Sequence, residues 1–154
     1  MVRRFFATPD EIALTVVRVT VGGVILPHGL QKLMGWFGGH GPAETMASFE
    51  KWFGLPPALT ALVIAAESFG ALALILGLAS RFAAAAIGAV MIGAITLVTG
   101  RWGFFMNWYS EPRGEGFELH LLVLGMVAAI VWRGGGRWSV DRAIAARLGR
   151  ARSG

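Results

Sequence analysis

The sequence predicts an all-α fold: an integral membrane four-helix bundle with short interfacial helices. Three observations predict it. More than half of the 154 residues are apolar and 15% are charged, where soluble domains carry roughly a quarter charged. Four apolar stretches approach the roughly 20 residues that a helix needs to cross a bilayer core. Glycine is abundant at 22 residues, as is usual where membrane helices pack closely. At this length, residues 1–154 make a single domain.

The first span runs over about 12–33 and is interrupted by Arg18, Pro27 and His28. The second, about 58–79, contains Glu67. The third, about 82–99, is rich in Ala and Gly and carries no charge. The fourth, about 117–132, is short and has Glu118 and His120 near its start. Between spans one and two, Gly41-Pro42 opens a short interfacial helix ending at Gly54, with Met46, Phe49 and Phe53 on one face. Between spans three and four, Trp102, Phe104, Phe105, Trp108 and Tyr109 form an aromatic cluster, read equally as an interfacial belt or a lid. The chain closes on an amphipathic helix over about 139–148, with Ser139 as N-cap and Asp141 in its first turn.

Charge placement sets the orientation. With both termini cytoplasmic, the inner side holds Arg3, Arg4, Arg81 and the six arginines from Arg133 to Arg152. The outer side then holds Lys51, Arg101 and Arg113, and nine against three is the positive-inside bias. No cleavable signal is expected, because the first apolar stretch is too long for one. The formal net charge of +5 sits outside the spans, where it attracts anionic lipid rather than nucleic acid. The chain has no cysteine, which excludes thiol exchange, c-type haem attachment and thiolate metal sites.

Ionisable residues inside a bilayer cost on the order of 3 kcal/mol each, so partners must offset them. On span one Arg18, Gly22, Ile25, Gly29 and Lys32 share a stripe, with His28 one turn below Lys32. On span two Glu67, Gly70, Ala71, Leu74, Gly77 and Arg81 share another. Small residues on both stripes point them into the bundle. On span four Glu118 aligns with Gly125 and Ala129, while His120 falls on another face. At about 1.5 Å per residue Glu67 lies near mid-membrane, with Arg18 roughly 7 Å below it. These positions predict an Arg18–Glu67 pair, an outer Lys32–Glu118 pair, and His28 between them. Such pairs can fix helix register or handle a ligand or proton. Haem held by His28 and His120 is disfavoured because the two face different ways, and a metal on His28, Glu67 and Glu118 lacks any tight ligand repeat. On span three Ala85, Ala89 and Gly93 form a small-xxx-small packing row.

The chain resembles the DoxX family of small bacterial membrane proteins. The resemblance rests on Arg18, the segments from His28 to Lys32, Glu67 to Gly70 and Gly77 to Arg81, Glu118, and the closing run from Gly136 to Asp141. It implies four spans in the bacterial inner membrane and an association with membrane oxidoreductase complexes and oxidative or thiol stress. Relatives include the small membrane subunit of thiosulfate:quinone oxidoreductase. The expected function is therefore a redox-associated subunit binding a quinone or small anion through Arg18, His28, Lys32, Glu67 and Glu118. The alternative is a non-catalytic assembly subunit of a larger membrane complex. Other membrane or redox subunits, or further copies of the chain, are the expected protein partners.

Overall fold

The computed structural model describes residues 6–150. Arg3, Arg4 and Arg152, which enter the charge argument, lie outside the described residues. Among the described residues all regular structure is helical.

Helix α1 is Ile12–Met34, running unbroken through Pro27 and ending on Gly35 in the left-handed region. Helix α2 is Gly41–Phe53, with Pro42 in its first turn and Gly54 closing it. Gly54 N–H donates to Glu50 O and Leu55 N–H to Phe49 O, which satisfies carbonyls that a helix end leaves open. Helix α3, Pro57–Leu76, and helix α4, Ser80–Trp102, follow. Each contains one π turn, Ala66–Gly70 in α3 and Ile95–Thr99 in α4. Helix α5 is Glu118–Arg133 and helix α6 is Val140–Arg150.

Helices α1, α3 and α4 are each long and apolar enough to cross a membrane. Helix α5 has 16 residues, below the roughly 20 of a full crossing. Its start is set by the preceding loop, which folds back onto it: Phe117 N–H donates to Gly103 O and Glu118 N–H to Phe104 O.

The four helices α1, α3, α4 and α5 pack around one core that includes Val21, Ile25, Leu74, Ile87, Val123 and Ile130. Helix α1 lies antiparallel to α3, and two glycines set how closely. A Cβ on Gly29 would stand 2.5 Å from the Glu67 backbone, and one on Gly22 2.7 Å from Ala71 O. Small residues therefore face inward on these two helices, as expected. On α5 they do not, and on α4 the small residues that face inward are not the expected ones. The buried row of α5 is Val123, Val127 and Ile130, while Gly125 faces outward. Ala85 and Ala89 of α4 are likewise exposed, and Ala84, Ile87, Gly88 and Met91 fill the core instead. The branched side chains of α5 take the interior because they bury more surface and make more dispersion contacts, and Gly88 of α4 makes room for one of them, since a Cβ there would stand 3.3 Å from Val127 Cγ2.

Both ends of the described chain meet at one end of the bundle, here the terminal end. Gly136 N–H donates to Thr8 Oγ1 and Arg137 N–H to Glu11 O. Helix α2 and the loop over 103–117 cover the opposite, loop end.

Candidate functional site

The ionisable residues fall into two separate groups, one at each end of the bundle. At the terminal end, Arg18 is 2% exposed. Its guanidinium donates to Leu74 O (2.7 Å), Ile75 O (2.5 Å), Gly135 O (2.7 Å) and Trp138 O. Leu74 and Ile75 are in the last turn of α3, where carbonyls lack intrahelical donors and the helix dipole is negative. Arg18 is thus a C-cap supplied from another helix. The expected Arg18–Glu67 pair does not form. Side chains on a helix lean toward its N-terminus, so Arg18 leans down α1, away from Glu67 and toward the end of α3.

The same end contains two further caps made in trans. Asp141, also buried, accepts from Ala79 N–H (2.6 Å) and Ser80 N–H (2.8 Å) at the start of α4. This fixes the turn between α3 and α4, in which Gly77 and Ala79 have φ of 70° and 45°. Gly77 is required twice over, since a Cβ there would also stand 2.5 Å from Ser139 Cβ. Arg81 donates to Val131 O and Trp132 O in the last turn of α5. Ser139 Oγ accepts from Arg142 N–H as the expected N-cap of α6. The segments Gly77–Arg81 and Gly136–Asp141 are thereby explained as the two halves of one structural knot.

Along the bundle lies a cavity of about 990 Å³, walled almost wholly by apolar side chains and reaching from Leu78 and Phe82 near the terminal end to Phe49 and Phe53 of α2. The ionisable groups on its wall are His28, Lys32, Glu67, Glu115 and His120. Lys32 Nζ meets Glu67 Oε2 at 2.5 Å and also reaches His28 O at 3.3 Å. The lean that takes Arg18 away from Glu67 brings Lys32 back one turn onto it. Glu67 is 6% exposed and sits in the π turn of α3, a distortion frequent at functional sites. Gly29 holds the α1 backbone against that turn.

Glu118 is not on the cavity wall. Its carboxylate accepts from Met106 N–H at 3.2 Å and ties the 103–117 loop to the start of α5, so the expected Lys32–Glu118 pair does not form. His120 takes the position that Glu118 was expected to hold. It shares a cavity wall with His28, although the helical wheel had turned it elsewhere. The available signal was its spacing: 120, 123, 127 and 130 make a regular helical row, and the last three are buried branched residues. His120 Nδ1 is buried without a hydrogen-bond partner. Among the described residues no three His, Asp or Glu side chains stand grouped as metal ligands.

The chain is therefore a membrane protein, all-helical among the described residues, with an apolar cavity whose ionisable groups lie in its loop-end half. It belongs to the DoxX family, whose model matches residues 13–100, more than half of the sequence. Glu118, His120 and the closing knot lie beyond that match. No curated protein and no solved structure matches the chain.

Proposed function

We propose that this protein is a single-domain, four-span inner-membrane subunit of bacteria, with both termini cytoplasmic, that binds a quinone-type head group in its cavity. Helix α5 supplies the fourth span, completed by the aromatic loop folded onto its start. The observation that carries the reading is the composition of the cavity wall. Two imidazoles, one ion pair and Glu115, whose carboxylate accepts from Asn107 N–H, are the ionisable groups on a wall that is otherwise almost wholly apolar. A neutral, flat ring with carbonyl oxygens suits that wall, because imidazole N–H groups donate to carbonyls while the ring and its substituents stay dry.

The small-anion alternative loses its cations. Arg18 is consumed by four backbone carbonyls at the other end, and Lys32 is neutralised by Glu67. With no thiol in the chain, electrons for any quinone chemistry come from a partner redox subunit. The Lys32–Glu67 pair then places a carboxylate and an ammonium beside the ring.

The test is purification in mild detergent from the native membrane, extraction of bound quinone, and titration of the emptied protein with quinone. Retained quinone and saturable binding are expected, and His28→Ala and His120→Ala should each weaken binding about tenfold, the worth of one hydrogen bond. A quinone-free protein that takes up none on titration would end the proposal. The assembly-subunit reading is favoured by a different observation, the exposure of Phe105, Trp108 and Tyr109 (71%, 76% and 88%) on the loop. Under it, a large partner co-purifies and the His28 and His120 variants leave the partner's activity intact.

A further inference from the structure

The cavity is longer than a head group needs, and it opens on the flank of the bundle. Its wall includes Leu62 and Phe69 of α3 and Phe82 and Leu97 of α4, which are 65%, 63%, 69% and 46% exposed. Side chains that both line a cavity and face outward mark its mouth. That mouth is a groove along the seam between α3 and α4. From Phe82 to Leu97 it extends about 22 Å along α4, at about 1.5 Å per residue, most of the thickness of a hydrocarbon core. Its floor is kept open by the small residues Ala86, Ala89 and Gly93. Its ionisable groups, His28, Lys32, Glu67, Glu115 and His120, are confined to the loop-end half, and from Phe69 down to Phe82 the wall is apolar.

We infer that the groove holds the hydrocarbon tail of a membrane-borne amphipath, whose head occupies the polar half and which enters sideways from the bilayer. Two features select this occupant over a second protein helix. The groove is continuous with the polar site, so one molecule with a polar head and a long apolar tail matches both parts. A buried His120 Nδ1 without a partner stands at the head end, where such a head brings a hydrogen-bonding group. The inference deepens the quinone reading and rests on it for the identity of the head: the ligand is a long-tailed, prenylated quinone rather than a water-soluble one. Ala89 and Gly93, two members of the Ala85, Ala89 and Gly93 row that stands outside the core of α4, are thereby given a role.

The experiment uses the full chain in phosphatidylcholine nanodiscs with three probes. One is a quinone carrying a photoactivatable diazirine on a tail of four isoprene units, the second the same head without a tail, and the third a diazirine-bearing prenyl alcohol without the quinone. Affinity is expressed per bilayer lipid, which removes the effect of partitioning. The tailed quinone should bind at least tenfold more tightly than the tail-less one. It should cross-link to the exposed rows of α3 and α4, displaceably by excess unlabelled tailed quinone. Ala89→Trp, and independently Gly93→Leu, should bring its affinity down to that of the tail-less head. Both positions have room for a side chain, since Ala89 is exposed and a Cβ on Gly93 meets nothing within 4 Å.

Labelling that excess ligand does not displace, or that falls equally on the outer faces of α1 and α5, overturns the groove. So does equal affinity for tailed and tail-less quinones. If the tail-less quinone binds at the histidines while the tail labels elsewhere, the groove falls and the quinone reading stands. If the prenyl alcohol labels the groove displaceably while no quinone binds, the groove stands with another head and the quinone reading falls.

Discussion

Replacing Arg18 with methionine removes one side chain and four hydrogen bonds while keeping most of the packing volume. Of the four carbonyls, Leu74 O keeps another donor, Gly77 N–H at 3.1 Å. Ile75 O, Gly135 O and Trp138 O lose the guanidinium. A buried acceptor left without a donor costs about 1–3 kcal/mol. The loss is tempered because burying the guanidinium was itself costly and because the methionine stem still packs. The expected destabilisation of Arg18→Met is therefore about 3–5 kcal/mol, in the range for breaking a buried charged contact. Arg18→Lys keeps the charge but not the planar fork that spans carbonyls from two segments, and should lose about half as much. The assay is reversible unfolding of the purified protein in mixed micelles with rising SDS. A double-mutant cycle with Glu67→Gln separates this account from the ion pair that the sequence suggests. Arg18 and Glu67 share no partner, so their coupling should stay below about 0.5 kcal/mol. A neutral Arg18→Met, or a coupling above about 1 kcal/mol, would refute the capping role.

The other predictions concern the same two ends. Asp141→Ala leaves Ala79 and Ser80 N–H without their acceptor and should cost about 1–2 kcal/mol in the same unfolding assay, as loss of an N-cap does. Gly29→Ala pushes a methyl into the Glu67 backbone at 2.5 Å, whereas a Cβ on Gly23 meets nothing within 4 Å. Gly29→Ala should therefore destabilise by about 2 kcal/mol or more and Gly23→Ala by well under 1 kcal/mol; equal effects would mean that α1 and α3 are not in this register. At the terminal end Asp10 meets Arg142 at 2.5 Å and Arg137 at 2.9 Å, and the hydrogen bond from Arg142 holds its carboxyl below the ordinary value, aided by the charges of both arginines. A depressed folded-state value means the contribution is full above the unfolded value of about 3.9 and fades as pH falls through the folded one. Asp10→Asn, which imposes the uncharged state at any pH, should therefore speed tryptic cleavage after Arg147 at neutral pH; an unchanged rate would remove the role given to Asp10.

The extents of the elements were legible because hydropathy is a one-dimensional signal. The reading put span one at about 12–33 and α1 is Ile12–Met34; the interfacial helix and α6 likewise fall within two residues of expectation. Span two ran three residues too far, since the turn at Gly77 and Ala79 is itself apolar and carries no mark in hydropathy. Which charges meet was not legible, because it depends on lengthwise register and side-chain lean. A wheel gives azimuth and discards both. Arg18 and Glu67 were rightly turned inward, yet a helical lean of one turn sends Arg18 to the end of α3 and hands Glu67 to Lys32.

The misreading of α5 has a different cause. Choosing its inner face by glycine assumes that membrane helices always approach through small residues, which holds where two backbones touch, as at Gly29 against Glu67. Helix α5 faces a cavity at its loop end and packs on α4 further along, where the small residue at the contact is Gly88 of α4, against Val127, rather than a glycine of α5. There the row of Val123, Val127 and Ile130 identifies the interior, and it carries His120 onto the cavity wall one turn earlier. Small residues thus report close helix contact and polar residues report the absence of lipid. The two criteria agree on α1 and α3, where the helices touch, and diverge on α5, where a cavity intervenes.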